Sequence, residues 1–88
     1  MVEKVKILVV DDEESARKTL GGILEDEGYS VDTAGDGNKA IEMVKTTHYH
    51  IIFMDIKMPG INGVETFKEV KRIDPDVAVI MMTTYSVE

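Results

Sequence analysis

Three apolar runs along the chain each end on a polar or acidic residue: Lys6 to Asp12, Ile51 to Asp55, and Val77 to Thr83. The first, Lys6-Ile7-Leu8-Val9-Val10, is β-branched and apolar at successive positions, as a strand covered on both faces must be. A helical pattern follows, with Ala16, Leu20, Ile23 and Leu24 on one face, and it should stop near Gly28, a suitable C′ glycine. Gly21 and Gly22 fall inside this helix and cost it roughly 1 kcal/mol each relative to alanine. They signify either close helix packing or a soft helix, and the pattern leaves both open.

Ser30 to Ala34 alternates weakly and reads as a second, shorter strand, with Gly35-Asp36-Gly37 as a turn. A second helix turns Ala40, Ile41 and Val44 inward and ends around Thr47. The third strand is expected over His50 to Asp55. After the loop from Ile56 to Gly63, a third helix carries Val64, Phe67 and Val70 at helical spacing and stops before Pro75. The fourth strand is expected from Val77 to Met82. The order βαβαβαβ is that of a doubly wound parallel sheet with right-handed crossovers. The fourth strand is apolar on both faces, like a central strand, so the pattern looks interrupted and its outer edge invites pairing with another chain.

Composition narrows the partners. The 88 residues suit one domain, and a chain this short buries only roughly two thirds of its unfolded surface. Seventeen acidic residues against ten basic leave a formal charge of −7, which argues against a nucleic-acid surface and suits a site that gathers cations. Cysteine is absent, which excludes disulfide and thiolate chemistry. No stretch approaches the ~20 apolar residues of a membrane span, and Met1 to Lys6 is too charged for a signal peptide, so a cytoplasmic domain is expected.

Parallel strands would gather Asp11, Asp12, Asp55 and Thr83 at the carboxyl edge of one sheet, where open α/β sheets place their ligand sites. An Asp-Asp pair alone is equally well explained as an acidic cap on the following helix. A third carboxylate from another strand is not. Clustered carboxylates need a cation, and hard oxygen ligands without paired His or Cys favour Mg²⁺, with Mn²⁺ and Ca²⁺ as alternatives. His48 and His50 lie at the far end of the third strand and are assigned to strand entry. A metal beside one carboxylate can neutralise an incoming phosphoryl group while that carboxylate attacks phosphorus. Asp55 is the candidate nucleophile, since Asp11 and Asp12 suit metal holding. Thr83 would supply a hydroxyl to a phosphoryl oxygen, with Thr84 equally close in sequence. Two residues after Asp55, where a phosphohydrolase of this type has a second acid, stands Lys57. Hydrolysis should be slow, so the chain is read as a holder of phosphoryl groups and not as a turnover enzyme.

The runs Val9-Val10-Asp11-Asp12-Glu13, Met54-Asp55-Ile56-Lys57-Met58-Pro59-Gly60-Ile61-Asn62-Gly63 and Val79-Ile80-Met81-Met82-Thr83 resemble the receiver domain of two-component response regulators, across the whole chain, 1–88. The resemblance implies a flavodoxin-like α/β fold with strand order 2-1-3-4, lacking the family's fifth strand and last two helices, so that the domain is C-terminally incomplete. It implies Asp55 as acceptor of a phosphoryl group from a sensor histidine kinase or phosphotransfer protein. Mg²⁺ would be held by the side chains of Asp12 and Asp55, by the backbone carbonyl of Lys57, and by Asp11 mostly through water. Pro59 and Gly60 would shape the loop beside the acceptor, Gly63 would start the third helix, and Thr83 would be the switch hydroxyl. Thr84 fills a place where the family usually carries a smaller residue. The family's phosphoryl-pairing lysine and its aromatic switch partner on strand five have no counterpart among these residues. The first helix, the family's usual kinase-docking surface, is present. The alternative reading is a fragment incompetent in phosphotransfer that only docks a kinase or associates with itself through the fourth strand.

Overall fold

The computed structural model describes residues 4–82. Four parallel strands form one sheet in the order β2-β1-β3-β4, with β1 over Lys6–Val10, β2 over Ser30–Ala34, β3 over Ile51–Asp55 and β4 over Ala78–Met82. Three helices connect them: α1 (Glu14–Asp26), α2 (Gly37–Thr46) and α3 (Gly63–Ile73). This is the flavodoxin-like doubly wound arrangement that the element order predicts.

β1 is central and buried from Ile7 to Val10, which explains its unbroken apolar run. Its alternate side chains feed two layers. Leu8 and Val10 join Ile52 and Met54 of β3, Ala40 and Val44 of α2, and Val70 of α3 in the main core. On the other face Val31 and Thr33 lie under α1, where a Cβ on Gly21 would stand at 3.7 and 3.9 Å from them. Those are ordinary contacts, so Gly21 is buried against β2 without the packing requiring a glycine, and nothing lies within 4 Å of the corresponding position on Gly22.

Helix ends follow the local chemistry. α1 ends one residue before Glu27, and Gly28 takes φ +96°, with its N–H bonded to Glu25 O at 2.9 Å, as a C′ glycine should. Asp36 and Asn62 cap α2 and α3, their side chains accepting from Lys39 N and Glu65 N at 2.8 and 2.9 Å. Lys71 in the last turn of α3 donates to the carbonyls of Pro75 and Val77 and fastens the turn into β4.

Two positions of the apolar helical patterns are exposed. Ile23 is 56 % exposed and Val64 is 45 % exposed, each lying at the rim of its helix's apolar stripe and not under it. β3 starts at Ile51, one residue later than expected; His50 lies just before it, its N–H bonded to Lys6 O and its ring accepting from Lys6 N, both at 2.9 Å. β4 likewise starts at Ala78, since Val77 N closes a turn on Asp74 O. Among the described residues β4 pairs with β3 alone, so it is an edge strand here, with Ala78 and Ile80 exposed.

Candidate functional site

The site stands at the carboxyl edge of β1 and β3. β1 pairs with β3 up to Val10 and Met54, and one further step along that register brings Asp11 level with Asp55. Asp11 is anchored on its other side by the bond from its N–H to Ala34 O of β2, at 3.2 Å. Its carboxylate accepts from Glu13 N at 2.9 Å, closing a tight turn into α1, whose N-cap residue, Glu13, makes no side-chain cap. The same residue thus closes the turn into α1 and brings a carboxylate oxygen within 4.8 Å of the other two acids.

Asp12 follows in the loop and is exposed, while Asp11 and Asp55 are 7 % and 5 % exposed. One carboxylate oxygen from each of the three lies within 4.8 Å of the others. Burial pushes the Asp55 carboxyl above its ordinary range, and the neighbouring Asp11 charge adds to this. The Lys57 N–H, bonded to Asp55 Oδ1 at 3.3 Å, opposes the shift, while Asp12 reinforces it. Three hard anionic donors with a raised acid among them fit a divalent cation with oxygen preference, Mg²⁺ above all. His48 and His50 have no part in this. They sit at the other end of the sheet, His48 bonded to Asp74 Oδ2 at 2.9 Å and His50 to Lys6 N, as strand-entry residues.

The loop after β3 closes back on the strand. Gly63 N donates to Ile56 O at 3.0 Å and Ile56 N to Met82 O at 3.1 Å, so α3 begins directly against the end of β3. Gly60 has φ +77°, a backbone conformation that favours glycine, while Met58 tucks into the core and the neighbouring Lys57 and Pro59 remain exposed. Thr83 and Thr84 lie outside the described residues.

One residue at the site went unnoticed in the sequence. Arg17 of α1, half-buried, donates from Nη1 to Asp11 O at 2.7 Å. On a helical pattern it is an ordinary polar position, and its spacing from Asp11 carries no motif.

Residues 7–88 match the family model described as response regulator receiver domain. The chain belongs to that family. It is 40 % identical over 84 residues to the transcriptional regulatory protein ZraR of Klebsiella oxytoca, covering 96 % of this chain and 19 % of that protein. It is 38 % identical over 80 residues to sporulation initiation phosphotransferase F of Bacillus subtilis, covering 91 % and 64 % respectively. The chain therefore spans less than two thirds of the length of these relatives. Among solved structures, it resembles the response regulator TrrA of Thermotoga maritima in complex with Mg²⁺ and BeF, with a TM-score of 0.88 and 40 % identity over 96 % of this chain and 72 % of that one. The same regulator is also known in complex with the histidine kinase ThkA. Receiver domains are signalling switches that bind Mg²⁺ at an acidic pocket and work with histidine kinases or phosphotransfer proteins. Among the described residues, no helix is long and apolar enough to cross a membrane.

Proposed function

We propose that this chain accepts a phosphoryl group on Asp55 from the phosphohistidine of a sensor histidine kinase or phosphotransfer protein, in a Mg²⁺-dependent reaction, and serves as a signalling switch. The observation that carries this reading is the convergence of Asp11, Asp12 and Asp55 from two strand ends. A carboxylate oxygen of Asp55 attacks phosphorus and forms the O–P bond as the N–P bond to the donor imidazole breaks, the electron pair leaving with the imidazole nitrogen. Bound Mg²⁺ would neutralise charge on the phosphoryl oxygens. Asp12, Asp55 and the Lys57 carbonyl are assigned to hold it, with Asp11 acting mostly through water.

The Lys57 N–H orients the Asp55 carboxylate for attack. Its side chain stands where a hydrolytic acid–base carboxylate would be needed, which keeps the acyl phosphate long-lived and the chain outside the class of turnover enzymes. Pro59 and Gly60 shape the acceptor loop, and Thr83 is assigned the switch hydroxyl, with Thr84 beside it at the phosphate. The resemblance to a regulator solved with Mg²⁺ and BeF, and with its kinase, supports the same cation and partner class.

The test is intact mass after incubation with acetyl phosphate, with and without Mg²⁺, alongside Asp55→Ala. Metal-dependent gain of one phosphoryl unit, lost in the variant, supports the reading. No gain while Mg²⁺ still binds would leave the second reading, a module that docks or self-associates without phosphotransfer. The exposed Ile80 on the edge strand favours that second reading as far as self-association goes.

A further inference from the structure

The Asp11–Asp12 loop is the least regular part of the acidic site, yet its position decides whether three carboxylates converge. Asp11 is tied down at three points: its N–H to Ala34 O, its carboxylate to Glu13 N, and its carbonyl oxygen to Arg17 Nη1. The third tie differs in kind. It is the shortest, at 2.7 Å, it is charge-assisted, and it comes from the second turn of α1 instead of from the loop or the sheet. The Asp11 carbonyl belongs to the peptide plane that joins Asp11 to Asp12, and that plane is rigid. Fixing its oxygen therefore fixes the direction in which the chain delivers Asp12, which is exposed and has no core packing to hold it.

The guanidinium lies against the turn after β2. A Cβ on Gly35, in the turn after β2, would come within 3.3 Å of Arg17 Nη1 and 3.7 Å of its Cζ, so the side chain lies flat across that turn. The adjacent Lys18 behaves differently, pairing with Glu14 at 3.1 Å on the open surface. Among the described residues Arg17 has no carboxylate partner within salt-bridge distance, so its charge is spent on a main-chain oxygen.

We propose that Arg17 is a positioning residue of the acidic site: by gripping the Asp11 carbonyl it sets the Asp11–Asp12 loop and thereby the affinity of the site for a divalent cation. This rests on the reading of the three aspartates as a Mg²⁺ site. Two effects of Arg17 have opposite signs, which makes the proposal sharp. As a nearby positive charge it repels Mg²⁺, so its loss should tighten binding. As a positioning group it aligns the ligands, so its loss should weaken binding, typically ~10-fold or more for a residue that orients metal ligands.

The experiment is a Mg²⁺ titration of the full chain followed by amide NMR at Glu13 and Lys57, whose N–H groups bond the Asp11 and Asp55 carboxylates. It compares the unaltered chain with Arg17→Met and Arg17→Lys. The proposal expects Mg²⁺ affinity to fall ~10-fold in Arg17→Met and to recover in part in Arg17→Lys. Tighter binding in Arg17→Met would show that Arg17 acts as a charge alone. Unchanged affinity with a lowered melting temperature would show a packing role alone, and either result overturns the proposal. No Mg²⁺ response in the unaltered chain would overturn the reading of the site itself, and this proposal with it.

Discussion

The carbonyl oxygen of Asp55 occupies the space that a Cβ on Gly63 would need. Such a Cβ would also lie 2.7 Å from Ile56 Cα, and all of these neighbours are backbone that cannot swing aside. The first residue of α3 is thus pressed against the residue proposed to accept the phosphoryl group. Gly63→Ala should push the helix off the strand, at a cost of about 1–3 kcal/mol, the range for overpacking a filled site. Urea denaturation would read the loss of stability. The NMR shift of Lys57 N–H, bonded to Asp55, would show the site displaced with it; an unchanged stability and spectrum would refute the contact.

Asp55 itself should weaken the metal-free fold. Its carboxyl titrates above the ordinary range because of burial first and the Asp11 charge second. Between the ordinary carboxylate value and this raised one, the folded state binds the proton more tightly than the unfolded chain. Stability in the absence of metal should therefore fall as pH rises through that window and recover as pH drops back. Asp55→Asn removes the buried charge and should raise the metal-free melting temperature; a gain of about 1 kcal/mol corresponds to roughly 4–8 °C in a domain of this size. Mg²⁺ should stabilise the unaltered chain more than the variant, and chelation should abolish the difference. A lower melting temperature for Asp55→Asn without metal would contradict the clustered-acid picture.

Much of this was legible because the two periodicities are clean where burial is complete. The unbroken apolar runs of β1 and β3 and the acids that end them were enough to infer parallel strands and a shared edge, and the sheet order followed from the family resemblance. What pattern alone could not reveal are contacts without periodicity. Arg17 reaches back six positions to a main-chain oxygen, and a main-chain acceptor leaves no trace in residue identity. Ile23 and Val64 have the right spacing for the core, but spacing does not say how wide a stripe the neighbouring layer covers. A single aromatic before a strand carries no pattern, yet Tyr49 is among the largest fully buried side chains.

Tyr49, just before β3, ties the entry of that strand to β2, with which β3 does not pair. Its hydroxyl donates to Asp32 Oδ2 of β2 at 2.7 Å, while its ring packs in the main core. Burial, and then the bonded carboxylate, push the phenol upward, so it stays a donor throughout the ordinary pH range. Tyr49→Phe keeps the ring and loses the bond, and should cost about 0.5–1.5 kcal/mol. Tyr49→Ala also empties the core and should cost about 3–5 kcal/mol, as for other large aromatics. Thermal denaturation of the two variants separates the terms; near-equal losses would mean that the ring is not what fills the space.

The outer edge of β4 should direct self-association. Among the described residues this strand has one partner, β3, and it exposes Ile80 to the extent of 46 %. Unpaired backbone groups beside an exposed apolar side chain form a template for a second chain. Light scattering of this chain at micromolar concentration should therefore show a species heavier than a monomer, with a population that grows with concentration. Ile80→Lys places a charge on that face and should shift the equilibrium to monomer, because lysine on an edge strand opposes edge pairing. Val79 and Met81 point into the opposite layer, against the core cluster, so the substitution leaves the packing that holds β4 in the sheet intact. A monodisperse monomer in the unaltered chain would eliminate the edge as an association surface. A persistent dimer in Ile80→Lys would move the contact elsewhere, with the exposed Ile23 of α1 the next surface to test.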